Sequence, residues 1–373
     1  MIRAALISIC LCFAPAAWAQ SDPVTTAKRA VQMLQVAAIQ LEQAEKSSSR
    51  IAALTETVRA YEEGLAALRE GLRRVVIRER AIMLEFEVKE DRLSRLLGVL
   101  QTIERSPAPL LMMHPSGPIG TARSGMILSE VTPALQQEAE VLRAQLEELS
   151  VLRALQEDAA NQVTGALDSM QVARTTLAQA VADRTDLPAR VVTDSAQMAQ
   201  LVSAADTLQG FADSLATLSF EENTNTADFE TARGTLSLPL AGAVLSRFNE
   251  ADANGIKRPG WSLATETRAL VSSPWPATVR YAGPLLDYGS VVVLEPGRGY
   301  LLILAGLGQP LVENGQIVAK GEALGLMGGN SPTADSFLMT ARKGSGGNLQ
   351  ESLYIEIRKA NTPQDPAPWF AAE

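Results

Sequence analysis

The sequence has 373 residues, of which 46% are apolar, 20% charged and only 5% aromatic, a balance that excludes wholesale disorder and collagen-like repetition. Its net charge of -9 argues against a nucleic-acid partner, whose phosphates would meet repulsion rather than counterion-releasing lysines. One histidine and two cysteines exclude most zinc, thiol and histidine-dependent chemistry.

Residues 1–19 read as a cleaved export signal. Arg3 gives a short positive start, Ala4 to Ala16 an apolar stretch holding Cys10 and Cys12, and Ala17-Trp18-Ala19 a small-residue cleavage site. The run is shorter than the roughly 20 residues a membrane span needs. The expected location is periplasmic, and the mature chain would carry no cysteine.

From Ile51 the residues Leu54, Val58, Tyr61, Leu65, Leu68, Leu72, Val75, Ile82, Phe86, Leu93, Leu96, Leu100 and Ile103 alternate at spacings of three and four, interrupted by Glu79 and Lys89. That is a coiled-coil seam. Upstream, Val31, Leu34, Ala38 and Leu41 continue the pattern, with Ser47 to Ser49 as a weak point or phase adjustment. A second run, Leu128, Val131, Leu135, Leu142, Leu149, Leu152, Ala159, Val163, Ala166, Met170, Ala173, Leu177 and Ala180, needs a partner of its own. Between them Pro107, Pro109, Pro115, Gly117, Pro118, Gly120 and Gly125 break the helix and reverse the chain. The economical arrangement over residues 20–187 is an antiparallel helical hairpin with its tip at 106–125; an intermolecular coil is the competitor. At the tip, Leu110, Leu111, Met112 and Met113 either cap the hairpin core or form an adaptable apolar docking surface. His114 beside them reads as a loop residue, since no second histidine shares a metal with it.

Residues 188–235 form a different unit. Met198, Leu201, Leu208, Phe211 and Leu215 have helical spacing but no long seam, which predicts one or two short amphipathic helices in need of another apolar surface. The linker around Asn223 to Thr226 follows.

From Leu238 short Val, Ile and Leu runs alternate with Pro/Gly turns, predicting an all-β domain with strands near Ala243 to Phe248, Thr278 to Ala282, Ser290 to Leu294, Tyr300 to Leu304 and Leu353 to Ile357. The pieces Leu238-Pro-Leu-Ala-Gly-Ala-Val, Tyr281-Ala-Gly, Tyr288-Gly, Gly299-Tyr300, Gly325-Leu-Met-Gly-Gly and Leu353-Tyr-Ile-Glu-Ile-Arg, in this order, resemble the LytM-like, lysostaphin-type peptidase domain across residues 236–373. The predicted fold class is therefore multidomain α + β. It comprises the long hairpin, short regulatory helices and a C-terminal LytM-like domain.

Working peptidases of that family hold zinc through a His-x-x-x-Asp pair and a His-x-His. By the resemblance, Arg258 and Ser262 stand at the first pair, Gly306 at the catalytic histidine, and Ser352 and Tyr354 at the His-x-His. Arginine cannot deprotonate to bind a metal, and serine, glycine and tyrosine do not rebuild the ligand set, so neither metal, cofactor nor catalysis is expected.

An exported hairpin before such a domain resembles the EnvC-type murein hydrolase activators, and the tip sequences Arg105-Ser-Pro-Ala-Pro-Leu-Leu and Met126-Ile-Leu-Ser-Glu-Val-Thr-Pro-Ala-Leu add to the likeness. The resemblance implies a coil that engages an FtsX-like periplasmic domain of a divisome transporter complex during cell division. It also implies a groove that binds an N-acetylmuramoyl-alanine amidase, and a helical arm that blocks the groove until released. Tyr354, Arg358 and Tyr288 match the family's partner-contacting residues, with Arg258 and Trp261 at the groove edge. Alternation puts Tyr354, Glu356 and Arg358 on one strand face, where they form a partner hot spot or, for Tyr354, a plug in the vacated metal cavity. Pro259, Ser262 and Leu304 depart from the family's usual residues. Three other readings compete: an active peptidoglycan endopeptidase, which lacks its ligands here; a membrane-fusion adaptor of an efflux or secretion system, which places half its β module before the hairpin; and a purely structural coil.

Overall fold

The computed structural model describes residues 23–44, 50–105, 117–183, 195–217, 229–251, 255–297, 299–343 and 351–371. Residues 1–19 and the tip residues Leu110 to His114 lie outside them. Three long helices come first: α1 (Pro23–Ala44), α2 (Arg50–Arg105) and α3 (Gly117–Ala182).

Helices α2 and α3 form the hairpin. Leu54, Val58, Tyr61, Leu65, Leu68, Leu72, Val75 and Ile82 are buried on α2, and Leu149, Leu152, Ala159, Val163, Met170, Ala173 and Leu177 on α3. Cross-helix pairs run in opposite senses along the two helices: Gln145 donates to Glu85 at 2.7 Å, Arg78 pairs with Glu148 at 2.6 Å, and Arg174 with Glu62 at 2.7 Å. The two polar interruptions of the seam are satisfied. Glu79 accepts from Gln156 at 2.6 Å and Arg153 at 3.2 Å, and Lys89 donates to Glu85 at 2.6 Å.

Two features differ from the sequence pattern. Helix α3 takes in Gly117, Pro118, Gly120 and Gly125; Pro118 sits in its first turn, where a missing N–H costs nothing and the fixed φ suits a helix. Helix α1 does not extend the coil. Leu34 lies against Gly64, whereas a continuous helix would hold them about 45 Å apart. So α1 folds back along α2, burying Ala30, Leu34 and Ala37, while Ala38 points to solvent.

The C-terminal domain is one antiparallel sheet with strands β1 (Ala243–Ser246), β2 (Trp261–Thr265), β3 (Leu270–Ser272), β4 (Ala277–Pro284), β5 (Ser290–Gly297), β6 (Tyr300–Pro310), β7 (Ile317–Val318), β8 (Ala323–Met327), β9 (Glu351–Lys359) and β10 (Thr362–Gln364). Its main order is β1-β2-β9-β6-β5-β4-β7, with β10 on β9 and β8 joining β3 to β6. Leu353, Ile355 and Ile357 of β9 face a core with Leu302, Leu304, Val292, Leu294 and Trp369. That core also takes in Phe229 and Ala232 from a 3-10 turn upstream of Leu238, and Phe229 stacks on Trp369 at 4.6 Å.

The domain is not purely β. Helix α6 (Ala334–Lys343; α4 and α5 are described below) lies between β8 and β9, started by Thr333, whose Oγ1 accepts from the Ser336 N–H at 3.3 Å. Phe337 and Ala341 bury themselves against α2 and α3, with the Arg69 guanidinium 4.4 Å above the Phe337 ring. Beside it Arg69 pairs with Glu266, Arg59 with Ser272, and the Leu270 N–H donates to Glu62 at 2.9 Å. Leu54, Val58, Ala173 and Leu177 meet Leu270, Leu311, Ala323 and Leu326 in one apolar cluster. The β domain thus docks on the base of the hairpin.

Phe337→Ala should therefore lower stability by about 3 kcal/mol, the usual cost of emptying a buried phenyl site. Chemical denaturation followed by tryptophan fluorescence is the measurement, because Trp261, Trp275 and Trp369 all lie in the β domain. An unchanged midpoint would mean that α6 does not hold the two units together.

Candidate functional site

Strand β9 lies between β2 and β6, with Tyr354 opposite Ser262 on one side and Ala305 on the other. A central strand of this kind has two faces to cover. Period-two alternation puts Tyr354, Glu356 and Arg358 on the face away from the Trp369 core. All three are buried, at 8%, 2% and 1% exposure. They bond to one another: the Tyr354 hydroxyl donates to Glu356 Oε2 at 2.7 Å and Arg358 Nη1 to Glu356 Oε1 at 2.8 Å.

What covers this face is the amphipathic segment after the hairpin. Helices α4 (Ser195–Ala204) and α5 (Leu208–Thr217) lay Met198, Leu208, Phe211, Ala212 and Leu215 on Tyr281, Val291, Val293, Leu301, Ile303, Ala305 and Tyr354, with Leu201 and Tyr288 half-buried at the edge. Thr207 starts α5 by accepting the Gly210 N–H at 3.0 Å. Phe211 meets Tyr281 edge to face, with centroids 4.9 Å apart. Beside this packing Arg358 Nη2 pairs with Asp213 of α5 and donates to the Asn361 carbonyl at 2.9 Å.

Burial and the neighbouring carboxylate push the Tyr354 hydroxyl far up, against a smaller opposing pull from Arg258. Burial also holds the Glu356 carboxyl above the usual carboxylate range, with the Tyr354 hydrogen bond and Arg358 opposing it. Tyr354 thus stays a neutral donor.

Next to the arm a cleft of about 640 Å³ remains, lined by Arg258, Tyr288, Gly306, Ser352, Tyr354 and the acidic residues Asp206, Asp287 and Glu351, among others. These include positions where the resemblance places zinc ligands, and zinc does not fit them. Arg258 offers only donors, and Gly306 offers no side chain. Gly306 has φ 102, and a Cβ there would stand 2.5 Å from the Ser352 carbonyl oxygen, so no histidine enters without moving the strand. Among the described residues no group of three His, Cys, Asp or Glu side chains is placed to hold a metal. Tyr354 instead spreads over Gly260, where a Cβ would meet its ring at 2.7 Å.

Tyr354, Tyr288, Arg258, Gly306 and Ser352 therefore line one cleft, while Arg358 lies further along the same face of β9, with the arm residues Leu201, Leu208, Phe211 and Leu215 against that face. Ser262 pairs with Tyr354 in the sheet. Trp261, expected at the groove edge, does not reach it. It pairs with Ile355, is 8% exposed and packs 5.7 Å from Phe370 in the opposite core, because neighbouring residues on a strand point to opposite faces. Asp213 went unrecognised from the sequence, although a carboxylate two residues after Phe211 on an amphipathic helix is the kind of signal that marks an arginine partner.

Residues 257–366 match the model of Peptidase family M23, so the C-terminal region is an M23 domain of the LytM-like kind. The chain is 28% identical over 138 residues to the murein hydrolase activator EnvC of Escherichia coli, covering 37% of this chain and 29% of that protein. It is 31% identical over 142 residues to an uncharacterised protein of Neisseria meningitidis serogroup B, covering 38% of this chain and 21% of that protein. The matches thus span less than a third of these relatives' lengths. A putative peptidase M23 from Pseudomonas aeruginosa aligns with a TM-score of 0.31 at 18% identity, over 42% of this chain and 57% of that one.

Tyr354→Phe would leave a Glu356 oxygen buried without its donor, at a cost of about 1–3 kcal/mol. The raised carboxyl of Glu356 binds its proton more tightly folded than unfolded, so stability linked to it is full below the unfolded pKa and falls as pH rises through the folded one. The mutant should raise that carboxyl further. Its loss of melting temperature should be larger at neutral than at mildly acidic pH; a pH-independent loss would mean that the hydroxyl does not serve Glu356.

Proposed function

We propose that this protein is a non-catalytic, exported activator of a peptidoglycan amidase, with the β9 groove as its amidase-binding surface and α4–α5 as the arm that keeps it covered. The observation that carries the reading is α5 itself, seated on Tyr354 with Asp213 against Arg358. This packing supports a partner segment of the same kind, an amphipathic helix with one carboxylate, as the replacement for α5. Similarity to EnvC supports the activator role, and the unsuitability of Arg258, Gly306 and Ser352 for zinc supports the absence of hydrolysis by the chain itself. The hairpin would then dock, through its tip and flanks, to an FtsX-like periplasmic domain of the division machinery.

Release of dye from labelled sacculi tests this. The purified chain alone should release none and carry no stoichiometric zinc by elemental analysis; chelator-sensitive release without any amidase would overturn the reading. Adding a zinc amidase should give release, and loosening the arm with Phe211→Ala and Asp213→Asn together should increase it. In that loosened background, Tyr354→Ala or Arg358→Ala should weaken amidase binding by about 2 kcal/mol, roughly 30-fold. Unchanged affinity in folded variants of both kinds would place the interface elsewhere.

A further inference from the structure

Helix α2 carries a second apolar stripe besides the seam that meets α3. Ile77, Ala81, Leu84 and Val88 follow one another at the four-three-four spacing of a coiled-coil seam. Ile77 and Leu84 each come two positions after a residue of the buried seam, Val75 and Ile82, which is about 200° round a helix, so they face away from α3. Ile77, Leu84 and Val88 are 54%, 60% and 85% exposed, and Ala81 is exposed with them. A row of this kind on a water-facing helix marks a contact surface.

The stripe begins where α1 leaves off. Leu34 lies against Gly64 and α1 starts at Pro23, about three turns earlier, so its first residues stand about level with Val75 of α2. Beyond that level the flank of the stripe carries Arg80 and Glu87, both exposed. Arg80 Nη2 donates to the Arg342 carbonyl at 3.2 Å, which leaves other N–H groups of its fork. On the opposite flank Arg78 is paired with Glu148, and Glu85 with Lys89.

We infer that the stripe is a self-association seam, on which α2 of a second copy of this chain lies antiparallel about a two-fold axis between Ile82 and Met83. In that register Ile77 meets the partner's Val88, Ala81 meets the partner's Leu84, and Arg80 stands beside the partner's Glu87. The segment is thus complementary to itself in size and in charge, and the two-fold axis makes every contact twice. A parallel pair would instead set Arg80 against the partner's Glu85, which Lys89 and Gln145 already hold. It would also crowd the two β domains together, since each docks at the base of its own hairpin; antiparallel order sends them to opposite ends. Four apolar residues on each side, over about 17 Å of helix, make an interface near the low end of those that persist. The dimer therefore forms as concentration rises and parts on dilution.

Sedimentation equilibrium of the full mature chain across a wide concentration range is the test. The mass should rise from that of one chain towards that of two. Leu84→Gln with Val88→Gln should stay monomeric throughout, at an unchanged melting temperature in dilute solution, because both side chains are exposed in the single chain. Arg80→Glu and Glu87→Arg should each weaken the dimer about tenfold, since each brings like charges together twice, and the two changes combined should restore it. A single-chain mass at every concentration would overturn the inference and leave the stripe to a different protein. A dimer indifferent to the glutamine pair, or charge reversals that fail to rescue each other, would overturn it as well.

Discussion

The constraint on which this architecture turns is that β9 is an interior strand whose two faces differ in chemistry. One face, Leu353, Ile355 and Ile357, is apolar and closes on the Trp369 core. The other carries Tyr354, Glu356 and Arg358, which an apolar cover alone could not satisfy. The row solves most of this internally, since the glutamate accepts from both neighbours. What remains is the outer edge of the Arg358 guanidinium and the apolar floor of Tyr281, Val293 and Ile303. A cover for this face therefore needs leucines and an aromatic ring for the floor and one carboxylate for the arginine, and α5 supplies both.

The second structural commitment is the hairpin base. Glu62 receives hydrogen bonds from α3 and from β3 at once, and Arg69 reaches both Glu266 and the Phe337 ring. Coil and sheet are thus one packed unit on this side, while α4 and α5 cover the sheet face elsewhere. A force or partner acting on the hairpin acts on the β domain directly through these contacts, not only through the chain that links α3 to the arm.

Sequence alone carried the parts governed by a single period. The three-and-four seam is buried from Leu54 to Ile82 on α2 and from Leu149 to Leu177 on α3 as its spacing predicts, and the Tyr-x-x-x-Arg alternation of β9 puts both side chains on one face. Where two solutions satisfy one period, the sequence was silent. Leu34 fits a coil that continues and a helix that folds back equally well, and only the close approach to Gly64 decides between them. Trp261 illustrates another failure: without recognising β2, nothing showed that Trp261 and Ser262 must point to opposite faces. Helix α6 was hidden by its setting among Pro/Gly turns, although Thr333 followed by Phe337 and Ala341 has the cap and spacing of a helix. Gly306 was legible as a missing histidine, but its φ of 102 was not.

Magnitudes decide what holds the arm down. Asp213 is 46% exposed at its side chain, so its pair with Arg358 is screened by water and is worth about 1 kcal/mol or less. Leu208, Phe211 and Leu215, almost fully buried, each contribute about 1.5–3 kcal/mol by leaving water. Packing therefore holds the arm and the ion pair chiefly sets its register. Against that packing stands the ordering of the segment, about 1–2 kcal/mol for each residue fixed. On the proposed reading, such a cover shields Arg358 at rest and is displaced by a helix that buries a similar face and brings its own carboxylate. Arg358 then exchanges Asp213 for a partner's carboxylate when the arm leaves, while Glu356 Oε1 and the Asn361 carbonyl keep their hydrogen bonds to it.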